Sequence, residues 1–344
     1  HMEFLQSLPK YYRLQELRAF HLRDASQISE RWSDGAGDSC GDSRSGWQLH
    51  KALIWQGQPV LLSLRAEADS ANPSSAGMVR ARWLGAAPVD PQAQAAALAA
   101  MAHMVQRMLG LAYPPEKLQR KFGRHAQLGP LLAQQKGLHV PAAPTPFEAL
   151  TWAITGQQIS VAVAVSLRRK LIELAGVPLT PALVQQCTES DKAADILARP
   201  MLAYPAAAQV AALSQEQLRR HGFSEAKANT LLAVAQAVEQ GQLPLDDWAA
   251  QSAQGKLDVQ AVSAALLAIK GIGPWTVNYC LLRGYGWPDG SLHGDVAVRR
   301  AMQPLLAQDS VSASEAEQWL AQFAPWRALV AAHLWASLAA GKAY

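Results

Sequence analysis

The stretch "KGIGPWTVNY" (residues 270–279), followed by "HGDVAVRR" (residues 293–300), concentrates the groups best placed to do chemistry. Gly271 and Gly273 flank Ile272, and Pro274 and Trp275 follow directly. Glycine tolerates positive φ and leaves no Cβ in the way, and proline suits the first position of a helix. The pattern predicts two helices joined by a tight hairpin near residues 258–283, with Ile272 turned inward to pin the bend. The backbone N–H groups of Gly273 and of the residues after it, Thr276 among them, would then face outward at a helix N-terminus. A phosphate oxygen could approach such a site closely. Gly-x-Gly alone fits a plain helix–helix connection equally well.

Asp295 lies twenty residues beyond Trp275, at the start of "DVAVRRAM". An N-cap role would account for it. The same position would fix a carboxylate where a helix N-terminus favours negative charge, so capping and chemistry are compatible. Trp275 and Tyr279 stand four apart and share a helix face, which suits either a pocket wall or a core. Asp289, in "WPDGS", reads as a turn residue. Cys40, Cys187 and Cys280 are far apart and form no CxxC, which argues for a reducing compartment without disulfides or a cysteine metal site. The histidines form no HExxH pair, which argues against a zinc enzyme.

These groups need a scaffold. Residues 1–112 read as α/β. "WQLHKALIWQGQPVLLSLRAEAD" carries two apolar runs around a hairpin signal, and "GMVRARWLG" alternates with the period of a half-buried strand. Asp90-Pro91 opens a helix running to about Met108. "SDGAGDSCGDSRSG" is expected to be a mobile loop. From residue 113 onward the chain reads as helical. "TPFEALTWAITG", "SVAVAVSLRRKLIELAG" and "SEAKANTLLAVAQAVEQG" each begin at a capping residue and end at glycine, and "DVQAVSAALLAI" places Val262, Leu266 and Ile269 on one face.

The 344 residues are enough for two or three compact units. Half of them are hydrophobic and 17% are charged, as in an ordinary globular protein. No apolar run reaches the roughly 18 residues that a membrane span needs, and the start has no signal-peptide pattern, so a cytoplasmic protein without membrane association is expected. The leading His1-Met2 is expected to be a cloning scar. A net charge of +4, with pI near 9.0, is compatible with a polyanion partner and equally with an ordinary surface.

"LLAIKGIGPWTVNYCLL", with "GDVAVRRAM" behind it, resembles the helix-hairpin-helix (HhH-GPD) DNA glycosylases of base excision repair, the AlkA-like 3-methyladenine DNA glycosylase II group in particular. "FEALTWAITGQQISVAVAVSLRRKL", "GFSEAKANTLLAVAQAV" and "PWRALVAAHLW" resemble further segments of that family in the same order, so the likeness covers most of residues 113–340. The implied fold is α+β: an amino-terminal antiparallel, TBP-like sheet domain with a helix (residues 1–112), then a bilobal, mostly α-helical glycosylase domain (113–344). The implied function is monofunctional hydrolysis of the N-glycosidic bond of flipped-out alkylated, cationic purines such as 3-methyladenine and 7-methylguanine. The implied partner is double-stranded DNA bound by a monomer.

The resemblance assigns roles residue by residue. Asp295 matches the catalytic aspartate, which would stabilise positive charge on the deoxyribose and orient water. Trp275 stands where lyase-competent relatives carry a nucleophilic lysine. Tryptophan cannot form a Schiff base, so simple hydrolysis is implied. Trp275, Tyr279, Trp335 and Phe20 would line the base pocket, where aromatic faces attract a cationic base. The first three fit core packing as well, and Trp326 is expected to be core. Gln158, in "TGQQIS", matches the wedge that fills the gap left by the base, where the best-known relative has leucine. Val296 replaces a tyrosine of the family. Gly271, Gly273 and Thr276 would hold a phosphate, and the carbonyls of Leu267, Ile269 and Ile272 could hold a sodium or potassium ion. No other cofactor is implied, and the iron–sulfur branch's clustered cysteines have no counterpart after Cys280. The alternatives are a DNA-binding protein without catalysis and an oxidised-base glycosylase/lyase.

Overall fold

The computed structural model describes residues 2–35, 46–187 and 190–339. Residues 36–45, most of the segment expected to be a mobile loop, lie outside the described residues.

The amino-terminal part is a five-stranded antiparallel sheet built from β1 (Met2–Ser7), β2 (Glu30–Ser33), β3 (Gln48–Trp55), β4 (Gln58–Glu67) and β5 (Met78–Leu84), in the order β1-β5-β4-β3-β2. β3 and β4 meet through the two residues Gln56 and Gly57, whose φ values of 48° and 78° match the positive-φ hairpin turn that follows the right-handed strand twist. The edge strands β1 and β2 were not read from the sequence. β2 has four residues and β1 alternates half-buried with exposed positions, so neither carries an apolar run.

Two helices serve this sheet: α1 (Gln15–His21), between β1 and β2, and α2 (Pro91–Met108), capped by Asp90. Met101, Met104, Val105 and Met108 of α2 pack on the face carrying Leu49, Leu53, Leu62 and Leu64. The opposite face carries Ala52, Ile54 and Leu61. β3 and β4 are therefore buried on both sides, which is why their sequences read as near-continuous apolar runs.

The helical part begins with α3 (Glu116–Phe122), α4 (Leu128–Gln134), α5 (Pro146–Gly156) and α6 (Val161–Ala175). The chain then crosses back to the sheet through β6 (Val177–Pro178), α7 (Pro181–Val184), α8 (Ser190–Ala198) and β7 (Leu202–Ala203). Leu179, Leu183, Ile196 and Met201 cover the second sheet face. Next come α9 (Ala207–Ala211), α10 (Gln215–Arg220), α11 (Glu225–Glu239), α12 (Leu245–Ala253) and α13 (Val259–Leu267), followed by α14 (Pro274–Tyr285), α15 (Val296–Leu306), α16 (Ala313–Ala321) and α17 (Arg327–Ala336).

Two cores divide these helices into lobes. α5 and α14 belong to both. Trp152, Tyr279 and Leu282 face one core, while Leu150, Ile154, Val277 and Leu281 face the other. Every residue of α5 is buried; among its polar members, Glu148 pairs with Lys51 and Arg168, and Thr151 donates to the carbonyl of Phe147. The fold is α+β, with a bilobal helical body. Asp289 staples the start of α17: its carboxylate accepts from Arg327 Nε at 2.9 Å and from Arg327 N at 3.3 Å. Trp326 packs against the core beside it.

Candidate active site

α13 and α14 form the predicted hairpin, and its two glycines do different work. Gly271 has φ +95°, in the left-handed region, and a Cβ there would lie 2.1 Å from Thr230 Oγ1 of α11. The same Thr230 hydroxyl donates to the carbonyl of Ala226 (2.9 Å) or Lys270 (3.1 Å), fixing the bend against α11. Gly273 departs from the expectation of positive φ. It is extended, with φ −108° and ψ −179°, and an added Cβ would meet nothing within 4 Å. Its value is open space, not conformational freedom. Gly273 is the N-cap of α14, and no side chain caps that terminus. The orphan N–H groups of the first turn therefore remain for an external acceptor.

The side chain of Thr276 is not available to a phosphate. It is 1% exposed, and Thr276 Oγ1 accepts from Gln157 Nε2 at 2.5 Å. Only its backbone N–H, at the third helical position, fits the assigned role. The Gln157 amide also donates to the carbonyl of Gly271 at 3.2 Å. It ties the loop between α5 and α6 to the hairpin. Gln158, next along that loop, is exposed and has φ +58°. A non-glycine residue in this region is strained, and such strain clusters at functional sites. Ser160 caps α6 behind it, and Lys227 Nζ donates to the carbonyl of Thr155 before it.

Asp295 is the N-cap of α15 and is 4% exposed. Its Oδ1 accepts from Val298 N at 2.9 Å and from the Trp335 indole at 3.3 Å, and its Oδ2 accepts from the Trp275 indole at 2.8 Å. Three N–H donors from three helices set the plane of this carboxylate, and Oδ2, with one donor, retains acceptor capacity. Val296, immediately after it, is 60% exposed, so the acid sits just beneath the surface where α15 begins.

Trp335 joins the acid to a cavity of about 660 Å³ between α1 and α17, lined by Phe20, Arg23, Trp152, Arg283 and Trp335 among others. Phe20 and Trp335 thus stand where a base could lie. Trp275 is half-buried beside the acid, its ring 5.1 Å from that of Tyr279. Tyr279 is not a pocket wall. It is fully buried, its hydroxyl accepts from Trp152 Nε1 at 3.0 Å, and burial raises its pKa. Its ring lies 5.9 Å from Trp335 and backs both indoles from within the core.

Several residues of the site were not singled out from the sequence. Arg283 follows Trp275 and Tyr279 at the same four-residue spacing, and that periodicity is the signal that could have found it; Arg23 lies past the end of α1 and carries no such signal. Gln157 and Trp152 carry no such signal, because their partners lie far away in sequence. The carbonyls of Leu267, Ile269 and Ile272 belong to the end of α13 and the bend, where backbone oxygens outlast the helix ladder. Ile269's accepts from Ile272 N at 3.1 Å within the turn. Among the described residues, no group of three or more His, Cys, Asp or Glu side chains could hold a metal.

The chain is similar to known proteins. The chain is 27% identical over 208 residues to DNA-3-methyladenine glycosylase 2 of Escherichia coli, covering 60% of this chain and 63% of that one. It is 26% identical over 188 residues to the DNA-3-methyladenine glycosylase of Bacillus subtilis, covering 54% and 55%. The matched regions span less than two thirds of either relative. Its fold is similar over 97% of both chains to the 3-methyladenine DNA-glycosylase from Archaeoglobus fulgidus, with a TM-score of 0.71 at 18% identity. The family model of the HhH-GPD superfamily base excision DNA repair protein matches residues 151–325, from the middle of α5 to the start of α17. With half its length inside that match, the hairpin, the α5–α6 loop and Asp295 included, the chain belongs to the HhH-GPD superfamily.

Proposed function

We propose that this protein is a monofunctional DNA glycosylase that hydrolyses the N-glycosidic bond of alkylated bases flipped out of double-stranded DNA, acting as a monomer. The observation that carries this reading is the Asp295 carboxylate, oriented by two indole N–H groups, one of them from Trp335 on the wall of an aromatic cavity. The names of the relatives, 3-methyladenine glycosylases, support an alkylated substrate.

The hairpin's first α14 turn receives a phosphate of the damaged strand, and Gln158 enters the stack where the base has left. The C1′–N bond breaks with its electron pair moving onto the base, leaving an oxocarbenium-like sugar. Asp295, beneath that sugar, stabilises the positive charge and accepts a proton from the water that attacks C1′. The products are a free base and an abasic site. Trp275 offers no amine for a Schiff base, so the strand is not cut. A sodium or potassium ion, if bound, would be held by the carbonyls of Leu267, Ile269 and Ile272 and would supply positive charge that offsets a phosphate's. Cationic purines such as 3-methyladenine and 7-methylguanine are good leaving groups and fall within this class.

Chromatography of bases released from methylated duplex DNA tests the proposal. Free methylated purine with an intact sugar–phosphate strand is the expected result. Salt-sensitive binding without release would leave a DNA-binding protein without catalysis, and a borohydride-trapped covalent adduct would make it a lyase.

A further inference from the structure

The aromatic faces of the cavity are not bare. The Arg23 guanidinium lies 4.1 Å from the ring centre of Phe20 and 4.9 Å from that of Trp152. Arg283 lies 4.7 Å from Phe20 and 5.3 Å from Trp335. Phe20 is thus held by two protein cations, and each aromatic ring lining the cavity already carries one. The attraction that a cationic base would find on such faces is taken up by the protein itself.

The surroundings do not cancel this charge. Arg23 adjoins a buried network in which Lys51 and Arg168 share Glu30 and Glu148, with Lys51 Nζ at 2.9 and 2.8 Å from the two carboxylates. Three cations thus meet two carboxylates, and Arg23 reaches Glu148 only at 4.0 Å. His21, on the same helix as Phe20, is held neutral by burial, which lowers its pKa to about 3. Elsewhere on the cavity wall, Glu16 pairs with Arg13 at 2.7 Å, Arg18 pairs with Asp34, and burial lowers the pKa of His139. The wall therefore presents more guanidinium than carboxylate. Arg23 Nε is buried without a hydrogen-bond partner, a donor awaiting an acceptor.

We propose that this cavity selects neutral modified purines, whose edges carry ring-nitrogen or carbonyl acceptors, over permanently cationic bases, with Arg23 and Arg283 as the specificity-determining residues. The proposal rests on the glycosylase reading and deepens it. A cationic purine meets like charge and is released through its own lability. A neutral base gains hydrogen bonds from donors that stay protonated at neutral pH.

The test separates binding from cleavage. Duplexes carrying either neutral 1,N6-ethenoadenine or cationic 7-methylguanine are made with 2′-fluoro sugars, which resist hydrolysis, and their affinities are compared with that of undamaged DNA. The expected result is tighter binding of the ethenoadenine duplex by about tenfold or more, the scale of one like-charge contact at intermediate dielectric. Arg23→Gln should shrink that ratio to about threefold or less, mainly by strengthening the cationic complex. Equal or tighter binding of the 7-methylguanine duplex by the unaltered protein overturns the proposal, and that comparison needs no variant to fold. The glycosylase reading fails separately, if the hydrolysable versions of both duplexes release no base.

Discussion

Gln158 is the clearest case of a residue whose conformation conflicts with its type. Its left-handed φ of +58° costs roughly 1 kcal/mol or more relative to glycine, yet its side chain is exposed rather than packed. The strain lifts the side chain out of the surface at the point where the α5–α6 loop is tied to the hairpin by Gln157. Gln158→Gly should therefore leave stability unchanged or raise it by up to about 1 kcal/mol. The same variant should slow base release from a paired lesion by about tenfold and affect an unpaired lesion much less. Thermal unfolding and single-turnover rates on the two duplexes check this, and equal slowing on both would remove Gln158 from base flipping. At this scale the sequence was informative where a residue's role is local, as in the capping of α15 by Asp295. It was silent where chemistry depends on a distant partner. Tyr279 shares its helix face with Trp275 in any helical reading, but only the packing of Trp152 and Trp335 makes it a buried support instead of a wall.

Within the hairpin, two glycines that look alike in sequence should respond oppositely to substitution. Gly271→Ala forces a Cβ into the Thr230 hydroxyl and requires an L-residue at φ +95°. Unfolding stability should fall by about 2 kcal/mol or more. Gly273→Asp has open space and an extended backbone, so stability should change by less than about 1 kcal/mol. Duplex affinity should nevertheless drop, and its salt dependence should change, because a negative charge would stand where a phosphate is proposed to approach. Urea unfolding and salt-dependent binding distinguish these outcomes, and undiminished binding by the Gly273 variant would take the hairpin out of the interface. Helix starts were legible because the caps are local: Asp90, Thr145, Ser160 and Ser224 each bond a backbone N–H three residues on. The return of residues 177–203 to the sheet was not legible, since its cause is an apolar sheet face elsewhere in the chain.

Across the whole molecule, the amino-terminal part and the helical body are joined through ion pairs. Buried Lys51 of β3 meets buried Glu148 of α5, and buried Asp24, after α1, meets the partly exposed Arg169 of α6. Buried histidines belong to the same economy of charge. Burial lowers the pKa of His21 and of His333 to about 3, whereas an unfolded histidine titrates near 6.5. Between those values the unfolded chain binds more protons. Stability is thus fully present above about pH 6.5 and declines as pH falls through the window, by up to about 1.4 kcal/mol per pH unit for each histidine. Urea midpoints at pH 7.5, 6 and 5 should decrease in that order. Midpoints independent of pH would mean that neither ring is held neutral.

The central claim concerns Asp295, and one substitution tests it directly. Asn is also a good N-cap, so Asp295→Asn keeps α15 started while removing the carboxylate proposed to face the sugar. Single-turnover base release from alkylated duplex should fall by about a thousandfold or more, while affinity for a duplex containing an abasic site should change by less than about threefold. Retained release, or a parallel loss of release and binding, would contradict the account.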